Sequence, residues 1–226
     1  MTDNYETFAD LLEYPDDRWA ARVESARAIS GDCAALCDFI ADVAPLPLSD
    51  LQELYTRTFD LNPVCALEIG YHLFGENYKR GEFLANLRET EALFDLGQEH
   101  QLPDYLPVLL RLLTKLEDEE LCGSLITECL IPAIDKMLAS LKDTENPYRF
   151  LLEAVHTTLK SEASVISIEA PRLNMRANLP VLTNDPRRYT HEITRTEQTV
   201  MREFRVASCE FVDRTAFATD AKPDLF

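Results

Sequence analysis

The sequence predicts an all-α protein: a single helical-bundle domain of about eight to ten helices, followed by a partly ordered C-terminal tail. Apolar residues recur at spacings of three and four along most of residues 1–163, as on one face of a helix. The chain has only 6 glycines in 226 residues, and its hydrophobic content of 46% is ample for a core. We expect the helical domain over residues 1–163 and a C-terminal extension over residues 164–226.

Turn-forming residues divide the first part of the chain into short helices. The predicted helices run from about Asp3 to Glu13, up to about Ile29, and from Cys33 to Val43, where Pro45 and Pro47 end the third. The pattern Ser49-x-x-Gln52 predicts a capping box at the start of the next helix, which carries Tyr55 and Phe59.

The second part continues the same pattern. Further helices are predicted from about Gly81 to Leu96, from the Leu102–Pro107 segment onward, from about Leu121 to Leu141 with a kink at Pro132, and from Tyr148 to about Leu159. After Ser161 the pattern changes: Val165–Ile168 is β-prone, and three prolines interrupt the residues that follow.

Charge is distributed unevenly along the chain, whose formal net charge is −18. Residues 1–163 contain 13 Lys and Arg against 31 Asp and Glu, whereas residues 164–226 contain nine of each kind. An acidic domain is a poor match for nucleic acid, and it favours a basic partner such as an Arg-rich peptide. We expect the neutral extension to be partly disordered or packed back on the acidic face.

Several classes of protein are disfavoured by what the sequence lacks. No apolar run approaches the length of a membrane span, and the acidic start does not resemble a secretory signal, so we expect a cytoplasmic protein. The four histidines fall in separate segments, the six cysteines lack zinc-site spacing, and no nucleophile, P-loop or dinucleotide motif occurs. The sequence therefore predicts no enzyme, no metal site and no cofactor of its own.

The stretch from Leu54 to Leu84 is the most informative part of the chain. Charged residues, a histidine and three tyrosines crowd around two helix breaks there, which a plain helical bundle would not need. For His72, a core position bonded to a backbone carbonyl is the alternative to a place in a binding site. Arg80 has two candidate acidic partners, Asp60 and Asp104.

The motifs of this stretch resemble the NarJ family, the assembly chaperones of respiratory nitrate reductase. Two further motifs, one earlier and one later in the chain, extend the resemblance over roughly the first 120 residues. In chain order the motifs are Leu11-Leu12-Glu13-Tyr14-Pro15-Asp16, Tyr55-x-x-x-Phe59-Asp60-Leu61-x-Pro63, Tyr71-His72-x-x-Gly75, Arg80-Gly81-x-x-Leu84 and Leu102-Pro103-Asp104-Tyr105-Leu106-Pro107.

The resemblance implies a chaperone without catalytic turnover. Such proteins bind the N-terminal segment of the apo catalytic subunit of a molybdoenzyme and hold it until the molybdenum cofactor and an iron–sulfur cluster are inserted. Proteins of molybdenum cofactor biosynthesis are further partners to consider. The candidate peptide-binding residues are Tyr55, Phe59, Asp60, Tyr71, His72, Gly75, Arg80, Gly81, Asp104, Tyr105 and Pro107.

The sequence departs from the family pattern at Ala66–Gly70, just before Tyr71, and in the C-terminal extension. These departures leave the client open between nitrate reductase and a related type II molybdoenzyme. Two other functions also stay open: a generic helical adaptor with a different partner, and a small-molecule-binding or weakly enzymatic helical protein. An adaptor would share the groove but not the preference for a molybdoenzyme leader, whereas a small-molecule site needs a deep pocket with convergent polar groups.

Overall fold

The computed structural model describes residues 2–61, 65–97, 100–142 and 144–166. Ten α-helices lie within these residues, which confirms the predicted all-α class and helix number. The helices are α1 (Thr2–Leu12), α2 (Trp19–Ile29), α3 (Ala34–Val43), α4 (Leu48–Tyr55), α5 (Ile69–Phe74), α6 (Tyr78–Glu91), α7 (Leu106–Leu113), α8 (Glu119–Ser124), α9 (Ile131–Leu141) and α10 (Tyr148–Ile166).

The helices pack around one apolar core. α1 lies against α7, and α10 lies against α3 and α9. The largest side chains with almost no solvent exposure include Phe8, Phe39, Phe83 and Tyr148, which come from four different helices. No helix in the described ranges has the length and apolar composition required to cross a membrane.

Two helices pass into π-helical turns without a break in the chain. Thr56–Asp60 continues α4, and Leu125–Leu130 joins α8 to α9. The predicted irregularity at Pro132 lies directly after the second π turn, within the first turn of α9. Proline has no N–H to donate, so a change of helix type at this position avoids a lost backbone hydrogen bond.

Several predicted boundaries are wrong. α4 begins at Leu48 after Pro47, so Ser49 lies inside the helix, and its hydroxyl bonds the Asp50 carboxylate instead of forming a capping box. α6 runs from Tyr78, where Asn77 caps it, to Glu91, because the chain turns at Ala92; the helix ends five residues before the predicted end at Leu96. Gly97, with φ of 74°, belongs to a later turn.

α10 also differs from the prediction, since it continues to Ile166 through residues with a β-prone pattern. The side chains of Leu159 and Ala163 remain buried in this last part of the helix, and burial outweighs β propensity there. The predicted C-terminal extension lies outside the described residues from position 167 onward. The domain boundary at 163 therefore stays a prediction.

An ionic cluster holds α1 against α7. Arg111 of α7 contacts Glu13 at 2.8 Å, Asp10 at 2.9 Å and Glu6 at 3.8 Å. The Arg111 side chain is only 15% exposed. Removing it would leave two carboxylates of α1 and that of Glu13, the residue after α1, without their shared cation.

We expect Arg111→Met to lower the free energy of unfolding by about 2 kcal/mol, since a partly buried charge cluster loses its cation. Urea denaturation measures the change. The control is Arg57→Met, whose side chain is 67% exposed and pairs with Glu53 at 3.7 Å. That pair contributes less than about 1 kcal/mol, so equal losses in the two variants would contradict the role of the cluster.

Candidate functional site

Asp104 lies at the centre of the candidate site, at the point where three segments of the chain meet. Its side chain is fully buried. Oδ2 accepts hydrogen bonds from the Gly70 backbone N–H at 3.1 Å and from Arg80, at 3.1 Å from Nε, and forms an ion pair with Arg80 Nη2 at 3.0 Å. Of the two predicted partners for Arg80, the structure selects Asp104 rather than Asp60. We call Gly70, Tyr71, Arg80 and Asp104 the Asp104 junction.

The backbone on both sides of Asp104 is also paired. The Ile69 N–H donates to the Asp104 carbonyl at 2.8 Å, and the Leu106 N–H donates to the Leu67 carbonyl at 2.9 Å. This short antiparallel bridge between Glu68 and Tyr105 explains why α5 does not begin before Ile69. Glu68 is extended because it pairs with the segment that leads into α7.

Gly70 is required at its position by this close approach. A Cβ atom there would lie 2.5 Å from Asp104 Oδ2 and 3.1 Å from the Phe83 ring. The first distance is shorter than any ordinary contact, and the carboxylate is held by Arg80. A side chain at position 70 would therefore displace the acid that organises the junction.

Arg80 links the buried acid to the surface. Its guanidinium carbon lies 6.0 Å from the centre of the Tyr71 ring, at the outer limit of a cation–π contact. Both side chains are half-buried. Burial raises the pKa of Asp104 above its usual value, whereas the nearby Arg80 charge and its hydrogen bond lower it.

The inner face of α6 carries a stripe of residues that begins at Arg80. Phe83, Leu87 and Glu91 follow at helical spacing, and all three are buried. The Phe83 ring packs against Phe74 of α5 with centroids 5.4 Å apart. The pKa of the Glu91 carboxyl is raised from 4.5 to about 7, mainly by burial; the Arg88 charge opposes this rise and the Asp104 charge adds to it.

Tyr55, Phe59 and Tyr105 belong to a second, buried group of aromatic residues. The Tyr55 and Phe59 rings pack edge-on against Tyr148, with centroids 5.9 and 4.8 Å from it. The Tyr55 hydroxyl donates to the Leu12 carbonyl at 3.1 Å, and it shares a hydrogen bond of the same length with the Tyr105 hydroxyl. These three candidates connect α1, α4 and α7 inside the core.

His72 occupies the position expected of a core histidine. It is only 8% exposed, and its Nε2 lies 2.7 Å from the Ala66 carbonyl. Burial lowers the pKa of the imidazole, and the Lys136 charge acts in the same direction. The Lys136 ammonium donates to the His72 carbonyl, which ties α5 to α9.

The remaining candidates lie apart from the junction. Asp60 is exposed at the end of the π turn, and Gly81 is exposed on the outer face of α6. Gly75 ends α5 with φ of 60°, a conformation that favours glycine. Pro107 is buried in the first turn of α7.

Sequence reasoning missed Gly70, Phe83 and Glu91 as parts of the site. A glycine at the start of an apolar segment was a signal for Gly70, because glycine allows another group to approach the backbone closely. An acid four residues after Leu87 on the same helix face was a signal for Glu91. Phe83 had no signal beyond ordinary core periodicity.

The described residues contain no cluster of metal ligands at the junction, and the cleft that they form between α2 and α4 lies elsewhere. No group of three or more potential metal ligands occurs within the described part of the chain. A cleft of about 440 Å³ lies between α2 and the start of α4, lined by residues that include Trp19, Val23 and Leu51. None of the eleven candidate residues lines that cleft, so the small-molecule alternative gains no support from it.

Gly70→Ala should lower the free energy of unfolding by at least about 2 kcal/mol, because the new methyl group collides with a buried carboxylate. Gly81→Ala is the matched control: nothing lies within 4 Å of a Cβ at that helical position. Alanine is a better helix former, so the control should gain about 0.5 kcal/mol. Thermal or urea unfolding of both variants measures these changes. An unchanged free energy of unfolding in Gly70→Ala would show that the junction is looser than the structure indicates.

Glu91→Gln should change how stability depends on pH. The folded-state pKa is raised, so the protonated acid favours folding at low pH and that contribution is lost as pH rises from 4.5 to about 7. The variant's stability relative to wild type should therefore increase over this range, by on the order of 3 kcal/mol, and stay constant above it. Glu89→Gln, at an exposed position on the same helix, should show no such slope.

Comparisons with known proteins cover the region that contains the junction. The family model described as "Nitrate reductase delta subunit" matches residues 24–144, a range that includes all eleven candidate residues. The Escherichia coli K12 protein named "Probable nitrate reductase molybdenum cofactor assembly chaperone NarW" is 28% identical over 160 residues, 70% of this chain and 68% of that protein.

Two further relatives are similar to the same extent. The Escherichia coli K12 "Nitrate reductase molybdenum cofactor assembly chaperone NarJ" is 28% identical over 165 residues, covering 67% of this chain and 69% of its own length. The Bacillus subtilis 168 "Probable nitrate reductase molybdenum cofactor assembly chaperone NarJ" is 28% identical over 178 residues, covering 74% of this chain and 96% of its own length. The chain therefore belongs to the nitrate reductase delta subunit family, as its motifs predicted.

Proposed function

We propose that this chain is an assembly chaperone for a respiratory molybdoenzyme, with nitrate reductase as the expected client. It binds the N-terminal segment of the apo catalytic subunit in the cytoplasm, without catalytic turnover, and holds the subunit for insertion of the molybdenum cofactor and an iron–sulfur cluster. The observation that carries the proposal is the family match over residues 24–144, which contains the whole Asp104 junction.

The region of α5 and α6 contains the proposed client-binding surface. Tyr71 and Phe74 are half-buried there, and Tyr78 is 73% exposed. Aromatic side chains at the surface supply contact area at low entropic cost, and an amphipathic helix binds by laying its apolar face on such a surface. Tyr71 lies against Arg80 of α6, and Tyr78 lies two residues before Arg80 at the start of the same helix.

Charge supports a basic client. Residues 1–163 contain 31 acidic and 13 basic residues, so long-range attraction favours a peptide rich in Arg or Lys. Complementary charge accelerates encounter and helps to exclude acidic competitors. A peptide that combines basic residues with one apolar helix face matches both the aromatic side chains of this surface and the negative charge of the domain.

The direct test is to isolate the tagged chain from its host during anaerobic respiratory growth and to identify co-purifying proteins by mass spectrometry. A molybdoenzyme catalytic subunit that lacks its cofactor should predominate. Recovery of another partner without any molybdoenzyme would refute the proposal and favour the generic helical adaptor.

Tyr71→Ala should weaken binding of a synthetic N-terminal peptide of the catalytic subunit by about tenfold, because an aromatic contact at the proposed surface is lost. Isothermal titration calorimetry measures the dissociation constant. Leu93→Ala is the control, since that side chain is 67% exposed and lies beyond the end of α6. Similar affinities of both variants for the peptide would show that the peptide does not bind at α5.

A further inference from the structure

We propose that α6 covers the binding surface of the client, and that a basic amphipathic helix displaces α6 to reach it. The α6-docking surface consists of Gly70, Tyr71 and Phe74 on α5 together with Asp104. The inference rests on the proposed function for the identity of the client. It adds that α6 controls the client's access to the site. The expected occupant is a helix with an arginine followed by apolar residues three and seven positions later.

The contacts of α6 are those of a bound ligand helix. One stripe of its side chains, Arg80, Phe83, Leu87 and Glu91, faces inward, whereas Tyr78, Lys79 and Gly81 are exposed. The arginine enters the Asp104 junction, and Phe83 packs on Phe74 and lies against the Gly70 backbone. An arginine that meets a buried acid beside an apolar stripe is how a basic amphipathic helix would dock there.

Two features make α6 a weak occupant of this surface. The fourth residue of its inward stripe is the acid Glu91, buried to 3% exposure on the same side of the molecule as Asp104. Gly81 lies in its first turn, where glycine lowers helix stability. A client helix with an apolar residue in place of the glutamate would make the same contacts without burying a second acid.

The chain provides a point about which α6 can move. Gly75 separates α5 from α6 and has φ of 60°, with open space around its α-carbon. The exposed residues Glu76 and Asn77 complete the turn. Rotation about this turn would remove Arg80 and Phe83 from the docking surface while the backbone bridge between α5 and the start of α7 stays intact.

Asp104 determines the chemistry of the replacement. A fully buried carboxylate that loses its cation is strongly unfavourable, so α6 leaves readily only when another cation takes its place. A guanidinium matches the fork of donors that Arg80 supplies now, whereas a lysine ammonium does not. This requirement excludes neutral and acidic helices from the surface.

The test uses the full chain and a labelled synthetic peptide of residues 78–91 that carries Glu91→Leu. Arg80→Gln in the chain releases the tethered helix and leaves Asp104 without a cation, so this variant should bind the peptide about tenfold more tightly than wild type, a difference of 1.4 kcal/mol. Lys79→Gln is the control: it removes one positive charge from an exposed position of the same helix and should bind as wild type does.

A peptide that also carries Arg80→Gln should bind no variant. Equal affinity of the wild-type and Arg80→Gln chains for the first peptide, or no binding to either, would overturn the proposal. Hydrogen exchange on wild type is an independent measure, because an exchangeable α6 must open at much lower free energy than α7. Protection of α6 amides equal to that of α7 amides would also overturn it.

A second probe, a peptide from the N-terminus of the nitrate reductase catalytic subunit of the same host, separates this inference from the proposed function. Tighter binding to Arg80→Gln than to wild type supports both. Equal binding to both chains supports the client and refutes displacement of α6. Binding of the α6 peptide without any binding of the catalytic-subunit peptide refutes the client and supports the docking surface.

Discussion

The structure around the candidate site depends on one buried carboxylate. Asp104 has no exposure to solvent, and its Oδ2 receives donors from α5 and α6 while its backbone pairs with the segment that precedes α5. α5 is only six residues long, too short to be stable by itself. Its position is therefore set by the acid, by the glycine that lets the acid approach and by the arginine that neutralises it.

The neighbour of this acid extends the same constraint into the core. Tyr105 bonds the Tyr55 hydroxyl, and Tyr55 in turn bonds the Leu12 carbonyl of α1. Two consecutive residues thus connect the α5–α6 surface on one side and the packing of α1 and α4 on the other. Buried polar contacts of this kind add little net stability but select one arrangement of helices over others. The motif around Asp104 therefore holds the helices of the candidate site in one arrangement.

The all-α fold class, the number of helices and most helix positions followed from the periodicity of apolar residues and from turn residues, because the spacing of apolar residues on a buried helix face is visible in the local sequence. The start of α5 did not follow from these local patterns, since a backbone bridge to the distant Tyr105 keeps Glu68 extended. From the sequence, Arg80 had two possible acidic partners. Only the fold distinguishes the buried Asp104, which pairs with it, from the exposed Asp60. Gly70 escaped prediction for the same reason: its requirement arises from a contact across the fold.

The same long-range contact explains why α6 differs from the other helices. Its inward stripe joins a cation, two apolar residues and an acid, and the cation binds the acid that organises the site. Within a domain of strong negative charge, Arg80 gives α6 the contact with Asp104 that a basic helix from outside would also make. A helix held in this way is stable when no competitor is present and replaceable when a better one arrives, because the favourable contacts belong to the docking surface and not to the helix that covers it.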